Sequence, residues 1–325
     1  MITVSFPGLG IDNFTLDPVA FSFSIGQKTF NIYWYALIIT TGILLAVAYC
    51  YYRSKQEGIS EDDLLDMALF TVPCAVVGAR LYYVLTSLSE YENFKEMIAI
   101  WNGGLAIYGA IIAGAITILC VCKYKKINPL RAFDMVSPGV MIGQILGRWG
   151  NFFNGEAYGT EVAEGSILYF IRMGLAPNIN SYSTMYYFHP TFLYESVWNL
   201  VGFIIINLLY KKKKFDGQVF LMYVSWYGFG RMFIEGLRTD SLYVGVFRIS
   251  QVLGFFCFLI GASLLIYNLA RVRRQKLTSC VDYEATYPKF KTSATIPTDD
   301  IGEKIENSEA EAEIESSTEP ENTEE

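Results

Sequence analysis

The sequence contains a single histidine, His189, which excludes a metal site built on several histidines. Six cysteines fall mostly within apolar segments, and Cys120 and Cys122 lack the second pair of ligands that a zinc site needs. We therefore expect buried or reduced thiols, no bound metal and no cofactor. Residues 1–30 also lack the basic start, short apolar core and small-residue cleavage site of a secretory signal peptide.

Charged residues are few outside the C-terminal segment. Residues 277–325 hold 14 acidic and 3 basic residues, a net charge of −11, whereas the whole chain carries −7. Residues 1–276 therefore carry +4, and we expect no nucleic-acid partner for this mildly basic body. Because the last segment is rich in Glu, Ser and Thr with few large apolar residues, we expect an acidic, disordered tail.

Apolar residues, in contrast, are abundant. The chain is 52% hydrophobic and 16% aromatic, with a mean hydropathy of +0.30, values that favour a multi-spanning membrane protein. A helix of about 20 apolar residues crosses the hydrocarbon core of a bilayer. The predicted fold class is therefore an all-α integral membrane protein with seven transmembrane helices. The predicted spans are residues 29–52 and about 64–86, 97–122, 134–150, 190–210, 217–236 and 249–270.

Lys and Arg residues in the connections predict the orientation. One set of connections holds 14 basic residues and the opposite set holds 5, so we expect the N-terminus outside and the C-terminal tail in the cytoplasm. Residues 1–28 are expected to form an extracytoplasmic arm with some strand character, and residues 29–276 the membrane domain. The connection at 151–189 is long and too polar to span, which predicts a small extracytoplasmic subdomain between the fourth and fifth spans.

The stretch GRWGNFFNGEAYG, residues 147–159, concentrates groups suited to an anionic ligand. Its glycines allow sharp turns and close approach to a ligand, and Gly159 ends the stretch. Arg148 offers a planar charged fork suited to phosphate, and Asn151, Asn154 and Glu156 add hydrogen-bonding groups. The alternative interpretation is a plain glycine-rich loop with Arg148 snorkelling to the membrane interface.

Three of the predicted spans are interrupted by arginines, namely Arg80, Arg148 and Arg231. Each lies toward the C-terminal end of a span that runs from inside to outside. Because intramembrane arginine is costly, it usually faces a cavity or a partner. Three arginines at a similar depth predict a polyanion site that faces the outer leaflet, with interfacial snorkelling of each one as the alternative.

The sixth span shows the sharpest helical pattern, because Tyr227, Arg231, Glu235 and Arg238 share one face at i, i+4, i+8 and i+11. Arg231 and Glu235 can pair, which would aim the guanidinium; a purely structural ion pair is the alternative. Other polar groups are expected at the same depth: Tyr35 in the first span, Tyr108 in the third, His189 and Glu195 at the start of the fifth, and Arg248 and Gln251 at the start of the seventh.

Taken in order, these residues resemble the prolipoprotein diacylglyceryl transferases, a family of bacterial inner-membrane enzymes. The family signature, Gly-Arg-x-Gly-Asn-Phe-x-Asn-Gly-Glu, stands at residues 147–156. The Trp34-Tyr35 entry, the GGLAIYG segment, HPTFLYE and the sixth-span face also match, so the resemblance covers about residues 20–272. Two positions depart from the family pattern: Tyr108 stands where a histidine is common, and Phe192 replaces a usual glutamine.

The resemblance implies the family's reaction in a bacterial plasma membrane. That reaction moves the diacylglyceryl group of phosphatidylglycerol to the lipobox cysteine in the signal peptide of a prolipoprotein, forms a thioether and releases glycerol 1-phosphate. The expected partners are these two substrates and membrane lipids. The residues assigned to catalysis are Arg148, Arg231, Tyr108 and Glu235. Those assigned to substrate binding are Arg148, Asn151, Asn154, Glu156, Gly159, Tyr35, Tyr227, Arg238 and Arg80.

A non-catalytic transporter or channel for an anionic lipid or sugar phosphate is the alternative function. It would use the same arginines to bind its cargo. Two features of the sequence argue against it. We find no internal repeat of the kind that transporters often have, and the polar groups gather at one face, where alternating access favours a site at the midplane.

Overall fold

The computed structural model describes residues 2–176, 185–277 and 280, so that almost all of the acidic tail and residues 177–184 of the long connection lie outside the described part. Most of the described chain is helical. The helices are α1 (Trp34–Glu57), α2 (Glu61–Thr86), α3 (Phe94–Ile98), α4 (Ile107–Lys125), α5 (Pro129–Asn154), α6 (Thr191–Tyr210), α7 (Gln218–Ile234) and α8 (Ile249–Arg274).

Among the described residues, five helices are long and apolar enough to cross a membrane: α1, α2, α4, α6 and α8. The chain is therefore a multi-pass membrane protein. The sequence predicts α5 and α7 as two further spans. These are the two helices that carry Arg148 and Arg231, and the 17 residues of α7 make it the shortest of the seven.

The third predicted span is shorter than its apolar segment. The sequence predicts residues 97–122, whereas α4 begins at Ile107. Gly103 and Gly104 have φ angles of 82° and 68°, a left-handed conformation that a continuous α-helix does not allow. The apolar residues before them form α3 and a short 3₁₀ turn instead.

The helices pack in close pairs, of which α2 and α4 are an example. A Cβ at Gly78 would lie 2.2 Å from the Cβ of Ala113, and a Cβ at Gly109 would lie 2.2 Å from the carbonyl oxygen of Gly78. No side chain fits at either position, so the two backbones touch. Small residues that allow such contact are typical of helix pairs in membranes.

Strands at one end of the helix bundle correct the all-α prediction. We call this the strand end; α1, α4, α6 and α8 begin there, and α2, α5 and α7 end there. The strands are β1 (Ile2–Phe6), β2 (Ile11–Leu16), β3 (Val19–Ile25), β4 (Lys28–Tyr33), β5 (Met173–Ala176), β6 (Tyr186–Phe188), β7 (Tyr243–Val244) and β8 (Phe247–Arg248). Apolar and polar residues alternate from Phe21 to Ile25 of β3, which is the period of a strand.

The N-terminal arm and the long connection share one sheet. Its strand order is β2-β1-β5-β6, with β1 antiparallel to both of its neighbours. Val4, Leu16 and Leu175 are buried in its core, where they meet Phe192 from the first turn of α6. The N-terminal arm and the long connection therefore pack as one unit on the start of α6.

Buried charges fix the opposite end of the bundle. Lys213, between α6 and α7, has its Nζ 3.1 Å from Asp134 and 3.3 Å from Asp216, and it also binds Glu57. The oxygens of these three carboxylates lie within 4.8 Å of one another, close enough to hold a cation, and Lys213 supplies that cation. Asp134 of α5 also accepts hydrogen bonds from two backbone N–H groups at the start of α7.

We expect Lys213→Met to destabilise the protein. The substitution keeps the apolar stem but removes the positive charge that three buried carboxylates share, and breaking a buried ion pair costs about 3–5 kcal/mol. Thermal unfolding in detergent measures the effect. Lys212→Met, at an exposed neighbour, is the matched control. Equal melting temperatures for the two variants would contradict a stabilising role for Lys213.

Candidate active site

Helices α5, α6 and α7 meet at the strand end around one buried carboxylate. Glu195, in the second turn of α6, is only 3% exposed. Its Oε1 lies 2.8 Å from Nη2 of Arg148 on α5, and its Oε2 lies 2.9 Å from Nη1 of Arg231 on α7. Because each guanidinium donates to a different oxygen of the same carboxylate, the two groups are fixed side by side.

Arg231 and Glu235, predicted to pair at i, i+4, are in contact. The helix that was to carry them both, however, ends before Glu235. α7 ends at Ile234, and Glu235–Leu237 continue as a 3₁₀ turn. Nη2 of Arg231 lies 2.7 Å from Oε2 of Glu235, in an ion pair that is not aligned as a hydrogen bond. Arg238 follows in extended conformation, with its Nε 4.0 Å from Glu235. The predicted residues therefore do not share one continuous helical face.

Two further arginines reach the strand end beside this pair. Arg238 donates hydrogen bonds of 2.9 and 2.7 Å to the carboxylate of Asp240. Burial disfavours the charged form of Asp240, but these hydrogen bonds and the charges of Arg238 and Arg148 outweigh it and hold the Asp240 pKa below its ordinary value. Arg248, at the start of α8, donates to the carbonyl oxygen of Glu235. Arg238 and Arg248 thus both contact the segment that follows α7, which carries Glu235 and Asp240.

The glycine-rich stretch 147–159 is mostly helical, which corrects its interpretation as a loop. α5 continues to Asn154 and is ended by Gly155, whose φ of 66° is left-handed. Gly150 lies inside the helix, and a Cβ there would come within 2.7 Å of the Tyr35 ring on α1. The glycine therefore allows α1 to approach α5, and Tyr35 is brought within electrostatic range of Arg148.

Side chains of the same stretch continue the network from Arg148 toward the surface. Nη1 of Arg148 donates to Oδ1 of Asn151 at 3.1 Å. Asn151 and Asn154 both donate to Oε1 of Glu156, at 3.0 and 3.2 Å. The structure therefore brings these four predicted residues together, with Glu156 at the exposed end.

Gly159 joins the long connection to the segment that follows α7. Its N–H donates to the carbonyl oxygen of His189 at 2.9 Å, and its backbone pairs with that of Arg238 in an antiparallel bridge. A Cβ at this position would lie 2.7 Å from the Cβ of His189. Gly159 thus holds the backbone that carries Arg238.

The predicted tyrosines Tyr108 and Tyr227 both lie near Arg231. Tyr108, in the first turn of α4, has its hydroxyl 2.6 Å from Oγ of Ser250 on α8, and it interacts electrostatically with Arg231. Tyr227 lies one turn before Arg231 on α7 and stacks on Tyr223, with ring centroids 5.9 Å apart. The hydroxyl of Tyr108 is therefore already hydrogen-bonded within the protein.

Arg80 differs from the other two predicted arginines, because its guanidinium binds backbone. It donates to four carbonyl oxygens between α2 and α4, those of Glu96, Met97, Gly103 and Gly104. These contacts hold the segment of α3 against the end of α2. The geometry assigns Arg80 a bracing role and gives no support for its predicted contact with substrate.

The sequence predicts Glu195 and Arg248 at the depth of the site without a role for either, and it does not single out Asp240. The available signal for Glu195 was a carboxylate at the start of an apolar span, since a buried charge there requires a partner. Its partners come from two other helices, so spacing along the chain could not identify them. Phe192, which replaces the glutamine of the same motif, is buried and stacks on Phe152 at 4.6 Å. That position contributes apolar packing.

This arrangement can bind a further anion. A guanidinium has five N–H donors, and each of Arg148 and Arg231 uses one on Glu195 and directs another nitrogen to a second residue. Their side chains remain 18% and 15% exposed. The remaining N–H groups can donate to a phosphate, and donors fixed in advance stabilise charge that develops during a reaction.

Known proteins are similar to this sequence over most of its length. A family model described as prolipoprotein diacylglyceryl transferase matches residues 18–267. A phosphatidylglycerol–prolipoprotein diacylglyceryl transferase from Streptococcus uberis is 44% identical over 265 residues, which cover 80% of this chain and 97% of the relative. The protein of the same name from Streptococcus pyogenes serotype M5 is 46% identical over 249 residues, which cover 75% of this chain and 92% of the relative. The chain thus belongs to the prolipoprotein diacylglyceryl transferase family.

Proposed function

We propose that this chain transfers the diacylglyceryl group of phosphatidylglycerol to the cysteine thiol of a prolipoprotein lipobox. The sulfur forms a thioether bond to the glycerol carbon, the bond from that carbon to the phosphate oxygen breaks, and glycerol 1-phosphate leaves. Family membership and the relatives' names support this reaction. No observation favours a transporter or channel in its place.

The observation that carries the proposal is the Glu195 carboxylate between Arg148 and Arg231. The departing phosphate gains negative charge as the carbon–oxygen bond breaks, and two guanidiniums fixed beside each other stabilise that charge. Glu195 orients the pair, and Glu235 helps to aim Arg231. We assign further residues to the substrate site around Arg148 and Arg231. They are the hydrogen-bonded Asn151, Asn154 and Glu156, together with Tyr35, Tyr227 and Arg238.

Activation of the thiol follows from electrostatics. A cysteine thiol has a pKa of about 8.5, which nearby cations lower. The chain's single histidine, His189, is an unsuitable cation, because burial lowers its pKa and its Nδ1 lies 3.1 Å from the hydroxyl of Tyr194. Glu235 is already engaged in an ion pair with Arg231. Positive charge from Arg148 and Arg231 therefore favours the thiolate.

The membrane arrangement of the proposal has seven spans, with α5 and α7 included, in a bacterial plasma membrane. The N-terminus and the strand end face outward, and the tail lies in the cytoplasm. The connections at the strand end hold 5 basic residues and those at the opposite end hold 14, which supports this orientation. The site then opens toward the outer leaflet, where both substrates are embedded in the membrane.

A direct assay tests the function. Purified full-length protein is incubated with phosphatidylglycerol vesicles and a peptide that carries a lipobox cysteine, and mass spectrometry follows the peptide. The expected product carries one diacylglyceryl group on sulfur, and glycerol 1-phosphate appears in equal amount. Absence of both products from a protein that is correctly folded contradicts the proposal.

Substitution of either bridged arginine by lysine is expected to impair turnover. Arg148→Lys and Arg231→Lys keep the charge but lose the planar fork, and by analogy with loss of one oxyanion donor we expect a fall of roughly 10²-fold in kcat. Arg274→Lys, at an exposed position on α8, is the control. Activity near that of the unmodified protein in both active-site variants would rule out the phosphate role.

Glu195→Gln is expected to affect both stability and turnover. The amide keeps the shape of the side chain but removes the charge between two partly buried guanidiniums, at a cost of about 3–5 kcal/mol in the free energy of unfolding. Because the arginines then lose their common anchor, we expect a fall in kcat of at least about tenfold. Thermal unfolding and steady-state kinetics measure the two effects. An unchanged kcat would show that Glu195 does not orient the pair.

Tyr108 is expected to position a group through its hydrogen bond to Ser250 and not to act as the base. A tyrosine with a pKa of about 10 is a poor base at neutral pH. Tyr108→Phe should therefore retain measurable transfer, and Tyr108→His should be tolerated because the family often has histidine there. Rates against pH for both variants provide the measurement. Complete loss of turnover in Tyr108→Phe, with both substrates still bound, would make the hydroxyl a direct participant.

A further inference from the structure

Glu156 is an exposed carboxylate that the protein nevertheless holds in place. The side-chain amides of Asn151 and Asn154 both donate to its Oε1, at 3.0 and 3.2 Å. Within the described part of the chain, Oε2 has no hydrogen-bond partner. Two amides on one oxygen fix the plane of the carboxylate and leave the second oxygen available as an acceptor.

The backbone on both sides of Glu156 is also constrained. Gly155 and Ala157 have φ angles of 66° and 58°, and the left-handed region is unfavourable for alanine. A hydrogen bond of 2.6 Å from the buried hydroxyl of Thr191 to the carbonyl oxygen of Ala157 holds this conformation. Strained residues that persist in this way cluster at ligand sites. The backbone of Glu156 is therefore held in one conformation, although its side chain is at the surface.

The position of Glu156 relates it to the phosphate site. Asn151 contacts both Glu156 and Arg148, so one side chain separates the carboxylate from the guanidinium. Tyr35 interacts electrostatically with both of them. A phosphate bound to Arg148 would carry its headgroup on the exposed side, where Oε2 of Glu156 is the nearby acceptor. In a glycerol headgroup, the hydroxyl groups are on the carbons that follow the one esterified to the phosphate.

We propose that Glu156 selects the lipid donor by accepting hydrogen bonds from the hydroxyl groups of its glycerol headgroup. This inference rests on the proposed function and names the part of phosphatidylglycerol that the site recognises. An ionised carboxylate can only accept hydrogen bonds, and a glycerol headgroup offers two hydroxyl donors. A lipid whose headgroup has no hydroxyls cannot donate these hydrogen bonds to Glu156. The loss of these hydrogen bonds is what would make such a lipid a poorer donor than phosphatidylglycerol.

A comparison of two lipid donors tests the assignment. Phosphatidylglycerol and phosphatidylpropanol have the same phosphate and acyl chains, but the propyl headgroup has no hydroxyl. Full-length protein, Glu156→Gln and the control Glu164→Gln are assayed with both donors and one lipobox peptide, and kcat/KM is measured for each. Glu164 is an exposed carboxylate in the same connection, so its substitution makes the same chemical change away from the network.

The unmodified protein and Glu164→Gln are expected to prefer phosphatidylglycerol by at least about tenfold, the usual weight of a hydrogen bond to a charged group. Glu156→Gln should lose most of this preference, through a lower kcat/KM for phosphatidylglycerol and little change for phosphatidylpropanol. If Glu156→Gln keeps the preference, or loses activity equally with both donors as a general base would, the assignment is wrong. No transfer from phosphatidylglycerol by the unmodified protein would instead contradict the proposed function.

Discussion

The pairing of two partly buried guanidiniums with a buried carboxylate is the interaction on which the arrangement of the helices depends. An arginine within a membrane segment needs a partner, and Arg148 and Arg231 find the same partner in Glu195. Because the three side chains come from α5, α7 and α6, these helices must meet at one depth. This shared partner holds α5 and α7 together beside α6.

The same three helices are also joined at the opposite end of the bundle. Asp134 of α5 accepts hydrogen bonds from the start of α7, and Lys213, in the connection from α6 to α7, binds Asp134 as well. A short helix such as α7 is therefore fixed at both ends by charges on its neighbours. The register of α7 along α5 and α6 cannot shift without breaking these contacts. The end of the bundle opposite the strand end therefore contributes to the position of Arg231.

The sequence predicts those features that depend on the spacing of residues close together in the chain. The family resemblance is confirmed, and the signature residues Arg148, Asn151 and Glu156 do lie together. Three features could not be obtained in this way. Glu195 takes its partners from distant parts of the chain, and Arg80 binds backbone carbonyls that no pattern predicts. Residues 147–154 continue α5, where Gly147 and Gly150 pack against α1. In each case contacts between distant segments decide the role that composition leaves open.

The alternation of guanidiniums and carboxylates at the strand end is best understood as preorganisation. Glu195 and Glu235 both contact Arg231 and orient its positive charge. Folding has already fixed these donors, so the proposed phosphate site would need little reorganisation when charge develops there. Glu156 differs from them, because amides and not arginines hold it. Its carboxylate is oriented but not neutralised by a direct ion pair, and this leaves it suited to recognise a neutral hydroxyl next to the phosphate.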